Sequence, residues 1–237
     1  MSKKSSEVIT VNDIATQIIR SPRRKTISIE VKHGDVYIVV PSTLSTARIK
    51  EILKKKTKWI NKKVAEYQQR PPLQSKEYVS GEKYNYLGEA YPLKIEINSV
   101  PFVELLNGQL LVTLPEKYNF AENIKGLLST WYHNQALRVF EEKVLHYEKL
   151  VGVRSSDIEI KKYKARWGSC TIHRKVQFNW KLMMAPHYVV DYVVVHELCH
   201  IHEHNHSRAF WAHVERVCPE YRECKTWLKD NGHLLEV

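Results

Sequence analysis

The 237-residue chain contains only four cysteines and eight glycines, and it has no long apolar run. The cysteines form no CxxC pair, which argues against a thiolate zinc knuckle and against a disulfide scaffold. No stretch approaches the roughly 18 consecutive apolar residues of a membrane-spanning helix, and residues 1–13 do not resemble a secretory signal. We therefore expect a soluble cytoplasmic protein with reduced thiols and no membrane partner, whose oligomeric state the sequence does not predict.

Acidic residues are scarce in the first 70 residues, which contain 16 lysines and arginines against six aspartates and glutamates. The remaining residues contain 21 basic and 20 acidic side chains, so nearly all of the net charge of +11 lies in the N-terminal segment. A basic face attracts phosphate-bearing or acidic partners. We predict nucleic-acid or nucleotide association through this segment, with a solvated basic face as the alternative.

The periodicity of apolar residues divides the chain into three regions. Residues 25–40 alternate apolar and polar positions around a short turn, which predicts a β-hairpin, and residues 46–68 have the pattern of a basic amphipathic helix. The predicted regions are a basic hairpin and helix over 1–70, a linker at about 69–80 and a β-meander over 71–120, and the chemistry-bearing domain over 121–237. No internal repeat is visible.

The C-terminal region begins with a long predicted helix, 121–151, and continues with strands at 157–164 and 175–182 on either side of a turn. The valine-rich stretch 188–195 has strand propensity, but we predict a helix there. Pro186 suits a helix start, and the apolar run passes directly into the segment HELCH. Two further short helices are expected near 207–217 and 221–229.

The segment His196-Glu197-Leu198-Cys199-His200 is an HExxH pentad. On a helix its two histidines, four residues apart, project from one face and can bind one zinc ion. Glu197 can then take a proton from a metal-bound water, whose pKa zinc lowers toward about 7. The alternative is a surface helix with two unrelated histidines. The apolar helix before the pentad and the six histidines between 196 and 213 favour the zinc site.

The third ligand is less sharply defined by the sequence. His202 points away from the ligand face, and His204 lies about 6 Å further along the helix axis. A chain that turns back after Asn205 would bring His206 to the metal, which gives the HExxH-x5-H spacing of metzincin proteases. Glu203, however, stands where metzincins have a glycine, and no Met-turn follows. Glu215 and Glu220 remain alternative ligands, because a His2Glu set is also common.

Three segments together resemble the YgjP-like metallopeptidase domain family, which is distantly similar to SprT-like proteases. They are ARWGSC at 165–170, QFNWKLMMAP at 177–186 and HELCHIHEHNHSRAFW at 196–211. The resemblance covers most of the chain and implies an α+β fold with a zincin-like C-terminal domain, in which the active-site helix packs on a small sheet. It also implies Zn²⁺ as the cofactor, the three histidines 196, 200 and 206 as ligands, and Glu197 as the base.

Two further residues are candidates for substrate binding. Arg166 could bind a carboxylate, a phosphate or an oxyanion, or form a structural salt bridge. Asn179 could bind a substrate backbone or cap a turn, and the turn is favoured. Trp167, Phe210 and Trp211 are interpreted as core residues.

These residues support three functional hypotheses. The first is a metallopeptidase that acts on protein or peptide substrates, with an edge strand near 157–164 or 175–182 aligning the substrate. The second is a zinc-dependent nucleotide phosphohydrolase, which ranks lower because the chain offers no phosphate-binding glycine loop. The third is a nucleic-acid-binding module with a structural zinc, which would leave Glu197 without a role.

Overall fold

The computed structural model describes residues 7–32, 34–68 and 75–237, and the chain forms two compact units, Met1–Pro72 and Leu73–Val237. These ranges contain eleven β-strands and five α-helices, so the protein has a mixed α+β structure with small sheets. No helix within them is long and apolar enough to cross a membrane. Residues 69–74 of the predicted linker and His33 of the predicted hairpin turn lie outside the described residues.

The first unit consists of one four-stranded sheet and one helix. Its elements are β1 (Glu7–Val11), β2 (Ile14–Ser21), β3 (Ser28–Lys32), β4 (Asp35–Pro41) and α1 (Thr46–Gln68). The strand order is β1-β2-β4-β3, with β2 and β4 parallel. The predicted hairpin corresponds to β3 and β4, and the predicted basic helix to α1. The strands β1 and β2 are additional to the sequence prediction.

The core of the first unit lies between the sheet and α1. Val36, Ile38 and Val40 alternate along β4 and are at most 3% exposed. Ile49 and Leu53 of α1 are likewise buried and belong to the same apolar cluster. The alternation in β4 and the four-residue spacing in α1 each give one apolar face, and burying these two faces against each other stabilises the unit.

The second unit begins with another four-stranded sheet. Its strands are β5 (Lys83–Tyr86), β6 (Glu89–Ile97), β7 (Phe102–Leu106) and β8 (Gln109–Leu114). The order is β5-β6-β8-β7, and β6 pairs in parallel with β8. The predicted meander is therefore wrong, because β6 and β7 are consecutive but not adjacent. The two four-stranded sheets have the same strand order and the same parallel central pair, a similarity that is not visible in the sequence.

The helix α2 (Ala121–Val151) begins seven residues after β8 and shares its core with the sheet. Leu110 and Val112 of β8 belong to the same buried cluster as Leu128 and Phe140 of α2. The boundary predicted at residue 120 therefore does not separate two cores. The helix ends at Gly152, whose φ of 81° is the left-handed conformation that glycine adopts without strain.

The remaining elements surround the predicted active-site helix. They are a three-stranded sheet, β9 (Asp157–Lys161), β10 (Gly168–Cys170) and β11 (Lys175–Asn179), and the helices α3 (His187–Cys199), α4 (Arg208–Val217) and α5 (Tyr221–Asn231). Nine of the 13 residues of α3 are buried, including all five of its valines. Because α3 contacts α2, α4, α5, β10 and β11, its valines are buried on every side, and this packing overrides their strand propensity.

Candidate metal centre and active site

Three histidines converge at the C-terminal end of α3. His196 and His200 are one helical turn apart, and His200 keeps helical dihedral angles, with φ −65° and ψ −15°. The ligand nitrogens of these two residues and of His206 all lie within 4.8 Å of one another. His196 Nε2 is 3.1 Å from His206 Nε2. Within the described part of the chain, no other group of three or more His, Cys, Asp or Glu residues has such geometry.

His206 reaches the other two histidines because the helix stops and the chain turns back. The α-helix ends at Cys199, and the amides of His202 and Glu203 both donate to the Cys199 carbonyl. Asn205 then accepts a hydrogen bond from the Ser207 amide at 2.9 Å. Glu203 does not adopt a positive φ. The turn therefore needs no glycine at this position, which explains how glutamate can replace the metzincin glycine.

The other candidate ligands lie elsewhere. His202 Nε2 is 3.2 Å from the Val151 carbonyl, and its ring stacks on another imidazole, that of His213, with 4.7 Å between centroids. Glu215 is exposed and pairs with an arginine of α5 at 3.0 Å. Glu220 is also exposed, at the start of α5, and neither glutamate belongs to the histidine cluster. The fold thus brings His206, and neither glutamate, next to the pentad.

Hydrogen bonds orient two of the three imidazoles. His200 Nδ1 lies 3.0 Å from the Glu203 carbonyl oxygen, which can only accept, so Nδ1 carries the proton and Nε2 keeps its lone pair. His196 Nδ1 lies 3.4 Å from the Tyr192 hydroxyl. Metal-binding histidines characteristically use their second nitrogen in this way, because it fixes the tautomer and the ring orientation. Tyr192 is a site residue that sequence reasoning did not identify.

Aromatic side chains of α4 enclose the cluster. The Phe210 ring is fully buried and lies 4.5 to 5.0 Å from the centroids of all three imidazoles. Trp211 stacks on His206 at 5.6 Å. Ser207 caps α4 by accepting a hydrogen bond from the Phe210 amide, which sets the direction of the helix. The prediction that Phe210 and Trp211 are core residues therefore describes only part of their role, since both also contact the histidines.

Burial keeps the first histidine neutral. Burial, together with smaller contributions from the neighbouring His200 and His206, lowers the pKa of His196 to about 3. Burial also lowers the pKa of His200. A neutral imidazole offers the lone pair that a metal ion requires. The three side chains are therefore chemically suited to hold a metal ion.

Glu197 is almost completely buried beside this cluster. It is 5% exposed, and burial raises the pKa of its carboxyl to about 8, an effect that the nearby Arg166 guanidinium opposes. A metal ion between the histidines would add a positive charge nearby and favour the ionised carboxylate. Gly168 of β10 packs directly against this side chain, because a Cβ built there would lie 2.6 Å from Glu197 Cγ and Oε1. The glycine thus makes room for the carboxylate.

Asn179 holds the loop before β10 through its side-chain amide. Its side chain is 2% exposed, and its Nδ2 donates to the carbonyls of Tyr163 and Arg166 at 3.0 and 3.2 Å. Its Oδ1 accepts from the Lys181 amide at 3.3 Å. These bonds use the side-chain amide to hold the turn, which is the alternative favoured in the sequence analysis, and the role of Asn179 in substrate binding stays a prediction.

The Arg166 side chain is exposed on this loop. Its guanidinium lies 5.2 Å from the centroid of the Tyr163 ring and is close enough to Glu197 to lower the carboxyl pKa. No salt bridge of Arg166 is found among the described residues, so the structural ion pair considered from the sequence does not form there.

The strand nearest to Glu197 is β10, which sequence reasoning interpreted as a turn. It pairs on one side with β11, and its other edge has no strand partner in the described residues. The predicted substrate-aligning strand at 175–182 corresponds to β11, which is hydrogen-bonded on both sides and cannot accept another strand. The other predicted strand, at 157–164, corresponds to β9, which forms the opposite edge of the sheet.

Comparisons with known proteins bear on this site. None of the curated proteins matches the sequence. A solved structure, the crystal structure of the metallopeptidase zymogen of Pyrococcus abyssi abylysin, is 21% identical in sequence and has a TM-score of 0.35; the match covers 38% of this chain and 93% of that chain. The model of the YgjP-like metallopeptidase domain matches residues 25–231.

A metallopeptidase family implies a hydrolase that uses a metal ion and acts on a protein or peptide. The resemblance inferred from ARWGSC and HELCH is confirmed, because the family match extends over most of the sequence and includes both units. The chain belongs to the YgjP-like metallopeptidase domain family.

Proposed function

We propose that the protein is a zinc-dependent metallopeptidase with a zincin-like active site, in which His196, His200 and His206 hold the zinc ion. The observation that carries this proposal is the convergence of three imidazole nitrogens beside a buried glutamate. Tetrahedral zinc with Zn–N bonds of about 2.0–2.1 Å separates its nitrogen ligands by about 3.4 Å. The 3.1 Å between His196 Nε2 and His206 Nε2 agrees with that requirement.

A catalytic role fits this ligand set better than a structural one. Structural zinc sites close all four positions with protein side chains, whereas catalytic sites use three and leave one for water or substrate. The histidine cluster has three members among the described residues. Zinc bound there would act as a Lewis acid toward a carbonyl oxygen and lower the pKa of a coordinated water.

Glu197 is the general base in this proposal. It takes a proton from the attacking water and then delivers that proton to the leaving amine. Its 5% exposure, with Gly168 against one side, restricts the carboxylate to a narrow range of positions. A base that is already in place needs no reorganisation when the water attacks, which is the advantage of a rigid site.

The substrate peptide is proposed to lie along β10. Because Gly168 of β10 packs against Glu197, an extended peptide that adds to the free edge of this strand would run close to the proposed base. Arg166 is exposed on the loop that leads into this strand. Its guanidinium is proposed to stabilise negative charge on the carbonyl oxygen, a role that suits a planar donor with several N–H groups.

The decisive experiment compares the zinc-loaded wild type with Glu197→Gln on an unfolded test protein, and measures cleavage together with bound zinc. The expected result is cleavage by the wild type and a loss of about 10²- to 10⁴-fold in the variant, with zinc content unchanged. Glu215→Gln is the matched control, because Glu215 is exposed and outside the cluster. Full activity of Glu197→Gln with zinc bound would refute the mechanism. Hydrolysis of nucleotides with no peptide cleavage would favour the phosphohydrolase.

A further inference from the structure

The first unit has an apolar cleft beside its basic helix. Ile27 and Trp59 are 40% and 41% exposed, although both side chains are large and apolar. Together with Ile29, Ile52 and Lys56 they line a cleft of about 350 Å³, which we call the Trp59 cleft. One wall comes from α1, and the other from β3 and the residue before it. Strand β3 is an edge strand, so no further strand covers this side of the cleft in the described chain.

Two lysines on α1 flank the aromatic ring without a partner. Lys56 and Lys62 lie three residues before and three residues after Trp59, a spacing that makes side chains neighbours on a helix surface. Both are exposed, and neither forms an ion pair or a side-chain hydrogen bond within the described residues. Lys55 and Lys63, by contrast, pair with glutamates of the same helix at 2.9 and 2.7 Å. Trp59 is therefore flanked along α1 by two positive charges that no acidic side chain of the described residues neutralises.

We propose that the Trp59 cleft binds single-stranded nucleic acid, with a base stacked on the indole of Trp59 and backbone phosphates against Lys56 and Lys62. Sites of this class combine a positively charged surface that follows the backbone with aromatic side chains that stack on bases. Both parts occur here within two helical turns. The net charge of +10 over the first 70 residues adds a long-range attraction for a polyanion.

The shape of the surface selects this partner over other anionic ones. A membrane-binding surface inserts a protruding apolar face into the headgroup region, whereas the apolar residues here line a concavity. Duplex bases are stacked inside the helix and cannot reach an indole without unstacking. The carboxylates of an acidic peptide would pair with the lysines, but they would not stack on the Trp59 indole. A flat, unpaired base can stack on the indole while the adjoining phosphate pairs with a lysine, so single-stranded nucleic acid matches both the aromatic and the basic part of the surface.

The test uses the full chain and a fluorescein-labelled 20-nucleotide dT strand, with binding followed by fluorescence anisotropy at several KCl concentrations. Trp59→Ala is expected to weaken binding about tenfold, and Trp59→Phe to retain most of it, because stacking is lost only in the first variant. Lys56→Gln with Lys62→Gln is expected to lower the slope of log affinity against log salt by about 1.4, since each single-strand phosphate contact contributes about 0.7.

The controls are matched in chemistry and lie in the second unit. Tyr118→Ala removes an aromatic side chain that is 46% exposed, and Lys83→Gln with Lys149→Gln removes two charges at exposed positions. Both controls are expected to bind the strand like the wild type. The proposal would be overturned in favour of non-specific charge attraction if Trp59→Ala bound the strand as tightly as the wild type. It would also be overturned if the lysine control lost as much affinity as the variant with Lys56→Gln and Lys62→Gln. Binding to vesicles of phosphatidylserine and phosphatidylcholine, with none to the strand, would also overturn it.

Discussion

Replacing Gly168 by alanine is the most direct perturbation of the proposed catalytic base. The added Cβ would lie 2.6 Å from Cγ and Oε1 of Glu197 and 2.8 Å from its Cδ. Non-bonded carbon atoms are most stable about 3.5–4.0 Å apart. The carboxylate would therefore have to move by about 1 Å. Because Glu197 is only 5% exposed, this movement must occur within packed surroundings, and the side chain cannot simply swing into solvent.

The expected cost follows from this displacement. A misplacement of about 1 Å at a catalytic group can lower the rate about 10²-fold. That factor corresponds to about 2.7 kcal/mol of lost transition-state stabilisation. Crowding a packed site also lowers the free energy of unfolding, typically by about 1–3 kcal/mol. The φ of Gly168 is not in the left-handed region, so backbone strain adds nothing to either cost.

The assay measures kcat/KM for cleavage of an unfolded protein, the bound zinc, and the free energy of unfolding from urea denaturation. Gly126→Ala is the matched control, because Gly126 lies in α2 with open space around the added Cβ. It should leave activity unchanged and stabilise the helix by about 0.5–1 kcal/mol. If Gly168→Ala binds zinc and keeps the wild-type kcat/KM, then catalysis does not depend on the exact position of the Glu197 carboxylate, and Glu197 is not a preorganised base.

Three further predictions concern the metal ligands and their supports. His206→Ala should lose bound zinc and activity while Glu215→Ala keeps both, as measured by metal content after dialysis; the reverse result would make Glu215 the third ligand. Tyr192→Phe should weaken zinc affinity about 10- to 100-fold in a chelator competition, because His196 loses its hydrogen-bond partner. Unchanged affinity would show that the hydroxyl does not support the ligand. Tyr188→Phe is the control, because Tyr188 is half-exposed. Ser207→Ala should lower the free energy of unfolding by about 1 kcal/mol, as measured in urea, because α4 loses its N-cap; an unchanged value would mean that water replaces the cap.

Local features of the fold were predictable from the sequence. The helix that carries the pentad was predicted from a proline, an apolar run and the HELCH segment, and α3 begins at His187. The long helix 121–151 and the hairpin over 25–40 also agree with α2 and with β3 and β4. These features depend on the periodicity of apolar residues and on residues that start or stop a helix or strand. Both lie within one segment, so the features can be predicted without knowledge of the remaining chain.

Pairing between distant segments was predicted less well. The meander prediction failed because β6 pairs with β8 in parallel, and nothing in either strand specifies its neighbour. The strand β10 was interpreted as a turn, because three residues that include a glycine give almost no strand signal. Its assignment comes from its hydrogen bonds to β11, which are tertiary contacts.

The sequence by itself determined the spacing of His196 and His200 and the position of Glu197 between them, because a helix converts a four-residue interval into a shared face. It also favoured His206, but it left Glu215 and Glu220 as alternatives, since a turn of unknown shape followed. Only the tertiary structure decided which of these side chains meets the pentad, that Tyr192 contacts His196, and that Gly168 makes room for Glu197. Each of these contacts depends on where separate elements pack, and packing is fixed by the whole core and not by any one segment.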